Sequence, residues 1–120
     1  MNVLVKIKEQ QFYCGSISEL LEFSSTNKCA VIIDEKNLTE LLSKEVNYSI
    51  DHINQIIIIS ETLNTVLPEF SGKSVFLIAA MGLEQAIGLA FHSEDLNTNI
   101  FCVLDIEKTE IKKMIESVVV

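Results

Sequence analysis

The sequence has 120 residues, with 17 acidic side chains against nine basic ones and a formal net charge of −8. All nine basic residues are lysines, and the chain has no arginine. Because nucleic-acid backbones and anionic lipid headgroups are negatively charged, an acidic chain without guanidinium groups is poorly equipped to bind them. We therefore expect neither nucleic acid nor membrane as a partner. A hydrophobic content of 48% predicts one domain, residues 1 to 120, with a buried core.

The cysteines and the N-terminus indicate the compartment. Cys14, Cys29 and Cys102 lie far apart and show no metal-ligand or redox-motif spacing, so we expect reduced thiols, with Cys29 and Cys102 in the core. The N-terminal residues alternate charged and apolar side chains, and no apolar run approaches the length of a membrane span. The sequence therefore predicts a cytoplasmic protein.

The first predicted elements are a strand pair and a short helix. In residues 2 to 8, the spacing puts Val3, Val5 and Ile7 on one face and Lys6 and Lys8 on the other, as in a half-buried strand, and "FYC" after them predicts a hairpin partner. Ser16 followed by Glu19 is a capping box, which predicts a helix that begins after Ser16.

Four continuous apolar runs follow: "CAVII" at 29–33, "QIIIIS" at 55–60, "SVFLIAA" at 74–80 and "NIFCVL" at 99–104. Such runs are typical of strands that are buried on both faces of a parallel sheet. Helical spacing at Leu38, Leu41 and Leu42 predicts one helix, and similar patterns predict others at 61–67, 83–93 and 107–118. The alternation predicts an α/β fold: a three-layer domain with a mostly parallel, four- to six-stranded sheet and helices on both faces, Rossmann-like or flavodoxin-like.

Two motifs are partly similar to phosphate-binding loops. "SGKS" at 71–74 lacks the upstream glycine of such a loop and enters a predicted strand, so it predicts a turn. "AAMGLEQAIG" at 79–88 leaves a strand and enters a helix, as an anion site would, but Gly82 and Gly88 do not complete the dinucleotide pattern. Gly82 therefore belongs either to a ligand site or to an ordinary strand-to-helix turn.

Acidic side chains follow three of the predicted strands, at Asp34 and Glu35, at Glu61 and at Asp105. Because the carboxyl ends of parallel strands meet at one edge of a sheet, these carboxylates have two interpretations. They hold a magnesium ion or accept a phosphoryl group, or else Asp34 and Asp105 are helix N-caps. No nucleophile motif or Cys/His cluster is present, so we assign no catalytic residue and no metal ligand.

One family resemblance extends along the chain. "FYCGSISELLEF" followed by "KCAVIIDEKNLTELL" resembles the opening of the dehydroquinate synthase and iron-containing alcohol dehydrogenase superfamily, and "SVFLIAAMGLEQAIGLAF" is similar to its NAD-binding strand and turn. The resemblance implies that Asp34, Glu35 and Asn37 contact a nucleotide and that Gly82 lies at the pyrophosphate. Only Gly82 matches the family's glycines, and the chain has no length for the second domain with the metal ligands. We therefore expect no complete active site of that kind.

Two functions remain open. The first is a non-catalytic cytoplasmic module without a cofactor that associates with another protein or with itself, as the missing catalytic motifs and the apolar residues Val118, Val119 and Val120 favour. The alternative is a degenerate enzyme domain that retains a pocket for a nucleotide such as NAD, or for another small molecule, at the carboxyl ends of the strands.

Overall fold

A computed structural model describes residues 3–44, 50, 52–61, 75–92 and 98–119. These ranges contain six strands and four helices, in an order that confirms the predicted α/β class. The helix expected at 61–67 and the "SGKS" turn lie outside the described residues, apart from Glu61. The elements are β1 (Val5–Ile7), β2 (Gln10–Cys14), α1 (Ile17–Ser24), β3 (Cys29–Asp34), α2 (Glu35–Lys44), β4 (Ile53–Ile59), β5 (Phe76–Ala80), α3 (Leu83–His92), β6 (Asn99–Val103) and α4 (Lys108–Val119).

The strands form one sheet in the order β1-β2-β6-β3-β4-β5. β2, β6, β3, β4 and β5 run parallel to their neighbours, whereas β1 pairs antiparallel with β2. The sheet is therefore mixed and mostly parallel. β6 is the last of these strands in the sequence, but it lies between β2 and β3 in the sheet. The connection from β2 through α1 to β3 is therefore a crossover that skips one strand position, and β6 fills that position.

The sheet separates two hydrophobic clusters. α1 and α2 pack against one face through residues that include Leu20 and Leu41. α3 and α4 pack against the other face through residues that include Ile87 and Ile111. Successive residues of β3 and β4 contribute to opposite clusters, so both faces of these strands are buried. This double burial is the physical reason why they appear in the sequence as continuous apolar runs.

The start of α1 confirms the predicted capping box. The Glu19 backbone N–H donates to Ser16 Oγ at 3.2 Å, and the Ser16 backbone N–H donates to Glu19 Oε1 at 3.0 Å. Ser16 has extended backbone angles, φ −80° and ψ 171°, which end the strand-to-helix loop and let the helix begin at Ile17.

The two core cysteines are buried as expected. Cys29 and Cys102 are 1% and 0% exposed, Cys14 is half-buried, and all three thiols are free. Burial raises the pKa of Cys29 to about 12. Burial also raises the pKa values of Cys102 and Cys14, so these thiols are protonated at neutral pH.

The apolar C-terminal residues begin inside the core. Val118 packs with the cluster formed by α3 and α4, and its Cγ1 lies 4.0 Å from the place of a Cβ on Gly88. The side chain of Val119 and the whole of Val120 lie outside the described residues. In the described ranges, no helix combines the length and the apolar character that crossing a membrane requires.

Candidate functional site

The sheet has a crevice at the carboxyl ends of β2 and β6. α1 leaves β2 over one face of the sheet and α4 leaves β6 over the other, and ligands of open α/β sheets bind where neighbouring connections diverge in this way. A cavity of 370 Å³ lies there, which we call the switch-point cavity. Its lining includes Cys14, Gly15, Ser16, Glu19, Asn37, Asp105 and Lys108.

Asp34 stands beside this cavity as the N-cap of α2. Its Oδ1 accepts hydrogen bonds from the backbone N–H and from Nδ2 of Asn37, at 2.8 and 2.9 Å. Its Oδ2 accepts from the backbone N–H of Asp105 at 3.3 Å. The N-cap interpretation of Asp34 is confirmed, and the same carboxylate also ties β3 to the loop after β6. Its contact with a nucleotide stays a prediction.

Asp105 has a different role from the one expected. Because α4 begins at Lys108, Asp105 is too early to be its N-cap, and that interpretation is wrong. Asp105 Oδ2 instead accepts from Lys36 Nζ at 2.9 Å, and this bond lowers the pKa of Asp105 and raises that of Lys36. The two side chains are 57% and 82% exposed, so solvent screens the pair and its effect on stability is small. The described residues contain no group of three or more His, Cys, Asp or Glu arranged to hold a metal ion.

The remaining two residues of the implied nucleotide contact lie elsewhere. Glu35 is exposed and lines a second cavity, of 460 Å³, with Asp34, Ile59 and Glu61. Gly82 follows β5, which is two strands away from β3, and it lines neither cavity. The structure therefore brings Asp34 and Asn37 together and leaves Gly82 apart from them.

The sequence motifs did not single out Gly15, which lines the switch-point cavity and has little free space around its Cα. A Cβ at Gly15 would lie 3.0 Å from Glu19 Oε1 and 3.1 Å from Phe101 Cζ. The available signal was a glycine between a predicted strand and a capping box. Lys108 also lines this cavity and favours the charged form of Glu19, whose pKa is lowered chiefly by the hydrogen bond from the Ser16 backbone.

The outer edge of β5 is a second candidate site. β5 is the terminal strand of the sheet, and no strand in the described ranges pairs with its outer side. Phe76 is 61% exposed and Met81 is 60% exposed. Residues 75 to 83 include no charged side chain and no proline. The edge thus lacks the charges and prolines with which free strands are commonly protected from pairing.

The backbone of β5 also has hydrogen-bonding groups that face outward. The Ser60 N–H donates to the Ala80 carbonyl at 2.9 Å, so the backbone of Ala80 faces β4. Since the direction of backbone groups alternates along a strand, Leu77 and Ala79 direct theirs away from the sheet. The opposite edge is different, because β1 has only three residues, its exposed Lys6 is charged, and charged Lys8 and Glu9 follow it.

No protein-family model, curated protein or solved structure matches this chain. The switch-point cavity and the β5 edge are therefore the two features of the described residues whose geometry bears on function.

Proposed function

We propose that this protein is an association module that adds a β-strand of a partner protein to the outer edge of β5. The observation that carries the proposal is the uncharged edge itself, with Phe76 and Met81 exposed on it. An added strand forms hydrogen bonds with the outward backbone groups of Leu77 and Ala79, and its side chains cover the exposed apolar ones. The chain then acts through binding, without a cofactor.

A labelled peptide tests strand addition. The probe copies residues 75 to 81 and carries two lysines at each end for solubility, and its binding is followed by fluorescence anisotropy. We expect saturable binding to the native chain. Ala79→Pro removes an amide that faces outward while the ladder with β4 is kept, because proline is tolerated on an edge strand where the N–H faces solvent. We expect this variant to bind the peptide at least ~10-fold more weakly, since proline supplies no donor to an added strand.

Lys6→Pro is the matched control on the opposite edge. Gln11 donates its N–H to the Thr98 carbonyl and so faces β6, and Lys6, which pairs with Gln11 in the β1–β2 register, therefore directs its amide outward. We expect Lys6→Pro to bind the peptide as the native chain does. Equal binding by the Ala79→Pro variant and the native chain would contradict the proposal, and so would binding of a scrambled peptide with the same affinity.

The switch-point cavity favours a second candidate function, binding of a nucleotide or another small molecule by a degenerate, Rossmann-like enzyme domain. The supporting observation is its place at the point where α1 and α4 diverge, with Asn37 and Lys108 in its lining. A ligand at 100 times its Kd would stabilise the fold by about 2.7 kcal/mol. We therefore propose thermal denaturation with NAD and with mononucleotides as the test.

Two variants separate the two places at which a nucleotide could bind. Loss of the stabilisation in Asn37→Ala alone would assign the ligand to the switch-point cavity. Loss in Gly82→Val alone would assign it to the turn after β5, where a side chain has room because a Cβ meets no atom within 4 Å. A melting temperature that no nucleotide raises would count against this second function.

A further inference from the structure

We infer that the strand added to β5 is the β5 strand of a second copy of this chain, antiparallel to the first and centred on Ile78. The inference rests on the proposed function and deepens it, because it names the partner and the register. The two copies are then related by a two-fold axis, and their two sheets form one continuous sheet.

The side chains of β5 fit this register. The strand reads Phe-Leu-Ile-Ala-Ala from Phe76 to Ala80, with its large residues in the first part and its small ones at the end. Antiparallel pairing centred on Ile78 places Phe76 opposite Ala80 of the second copy and Leu77 opposite Ala79 of the second copy. A large side chain therefore faces a small one on each face of the joined sheet, and every residue of the strand has a partner.

The backbone fits the same register. The backbone groups of Leu77 and Ala79 face outward. Leu77 of one copy then lies directly opposite Ala79 of the other copy, and each such pair exchanges two backbone hydrogen bonds. Ile78 then faces its own copy in a non-hydrogen-bonded pair, with Cα atoms about 4.5 Å apart. A register centred on Leu77 instead would place Phe76 opposite Ile78 and Leu77 opposite itself, so that large side chains would meet large ones.

Charge also favours a second copy over a charged partner. The net charge of −8 makes most surfaces of two copies repel each other. The edge from residue 75 to 83 has no charged side chain, so pairing there sets no like charges opposite each other. A charged partner strand would find no opposite charge on this edge, whereas β5 itself is uncharged and apolar.

Disulfide cross-linking tests the register. The test uses a chain in which Cys14→Ser removes the half-buried native thiol. In that chain, Ile78→Cys would place the Cα atoms of two cysteines, one from each copy, within roughly the 4.4–6.8 Å separation that a disulfide requires. We expect mild oxidation to yield a covalent dimer roughly 10-fold faster than for Lys6→Cys on β1, the matched control on the charged edge. Phe76→Cys alone should stay unlinked, whereas Phe76→Cys combined with Ala80→Cys should form linked dimers.

Sedimentation equilibrium of the native chain separates the outcomes. If the chain self-associates but neither Ile78→Cys nor the Phe76→Cys/Ala80→Cys pair cross-links while circular dichroism shows them folded, this register is overturned. If the chain stays monomeric at every concentration, the second copy is overturned as partner. Neither result decides the proposed function, because binding of the labelled peptide and its loss in Ala79→Pro test strand addition without a second full chain.

Discussion

Gly15 and Gly82 both follow a parallel strand and precede a helix, yet their surroundings predict opposite effects of an added methyl group. At Gly15 a Cβ would lie 3.0 Å from Glu19 Oε1 and 3.1 Å from Phe101 Cζ, whereas at Gly82 it would meet no atom within 4 Å. Glu19 can move only by giving up its hydrogen bond to the Ser16 N–H. Phe101 cannot move freely, because it is fully buried and packs against other aromatic rings.

The expected size of the effect follows from these contacts. Crowding of a packed site costs about 1–3 kcal/mol. Replacing glycine by alanine also restricts the unfolded chain, which stabilises the fold by about 0.4–1 kcal/mol where the backbone permits it. We therefore expect Gly15→Ala to lower the free energy of unfolding by about 1 kcal/mol and Gly82→Ala to raise it by about 0.5 kcal/mol.

Urea denaturation at neutral pH measures both variants on the same scale. A drop of the midpoint for Gly15→Ala and a slight rise for Gly82→Ala, with equal slopes, would support the steric argument. If Gly15→Ala is as stable as Gly82→Ala, then the side chains around Gly15 accommodate a methyl group without loss of stability. That result would refute the claim that the turn after β2 requires glycine for space.

Four further predictions concern the carboxyl edge of the sheet and the thiols. Asp34→Ala should lower the free energy of unfolding by about 1–2 kcal/mol in urea denaturation, because the cap of α2 is lost, and Asp34→Asn should lower it less. In native protein a thiol-specific reagent should modify Cys14 before Cys29. Burial raises the pKa of Cys29 from 9.0 to about 12. The protonated Cys29 thiol therefore contributes fully to the stability of the fold below pH 9, and this contribution is lost as the pH rises towards 12. A Cys29→Ala variant should show a melting temperature that falls less steeply at alkaline pH. The hydrogen bond from Lys36 lowers the pKa of Asp105. The contribution of the Asp105 carboxylate to stability is therefore present above the ordinary aspartate pKa and is lost as the pH falls through the lowered value. Lys36→Met should make the melting temperature depend less on pH on the acid side.

Burial on both faces of the sheet explains which elements the sequence predicts well. The runs at 29–33 and 99–104 became β3 and β6 with ends shifted by no more than one residue. The run at 74–80 also became a strand, but as the exposed edge β5, because an apolar run looks the same at an edge as at the centre of a sheet. The strand order was not predictable, since it depends on packing between segments far apart in the sequence.

The same limit applies to the candidate site. The sequence identifies side chains that follow strands, but not which strands are neighbours. Asp34 and Asp105 meet because β6 lies beside β3, whereas Gly82 is kept away from both by β4. The capping role of Asp34 was foreseeable from local chemistry alone, because an N-cap depends only on the residues that follow it. The ion pair of Asp105 with Lys36 depends on the sheet order and could not be foreseen from local chemistry.

The central place of β6 has a consequence for synthesis of the chain. β2 and β3 leave the ribosome early, but neither can pair across the middle of the sheet until residues 99 to 103 have been made. During that interval their apolar edges are open to strands of neighbouring nascent chains. Folding of this domain is therefore coupled to late translation, and chains that stall before β6 should be the ones that chaperones and proteases bind.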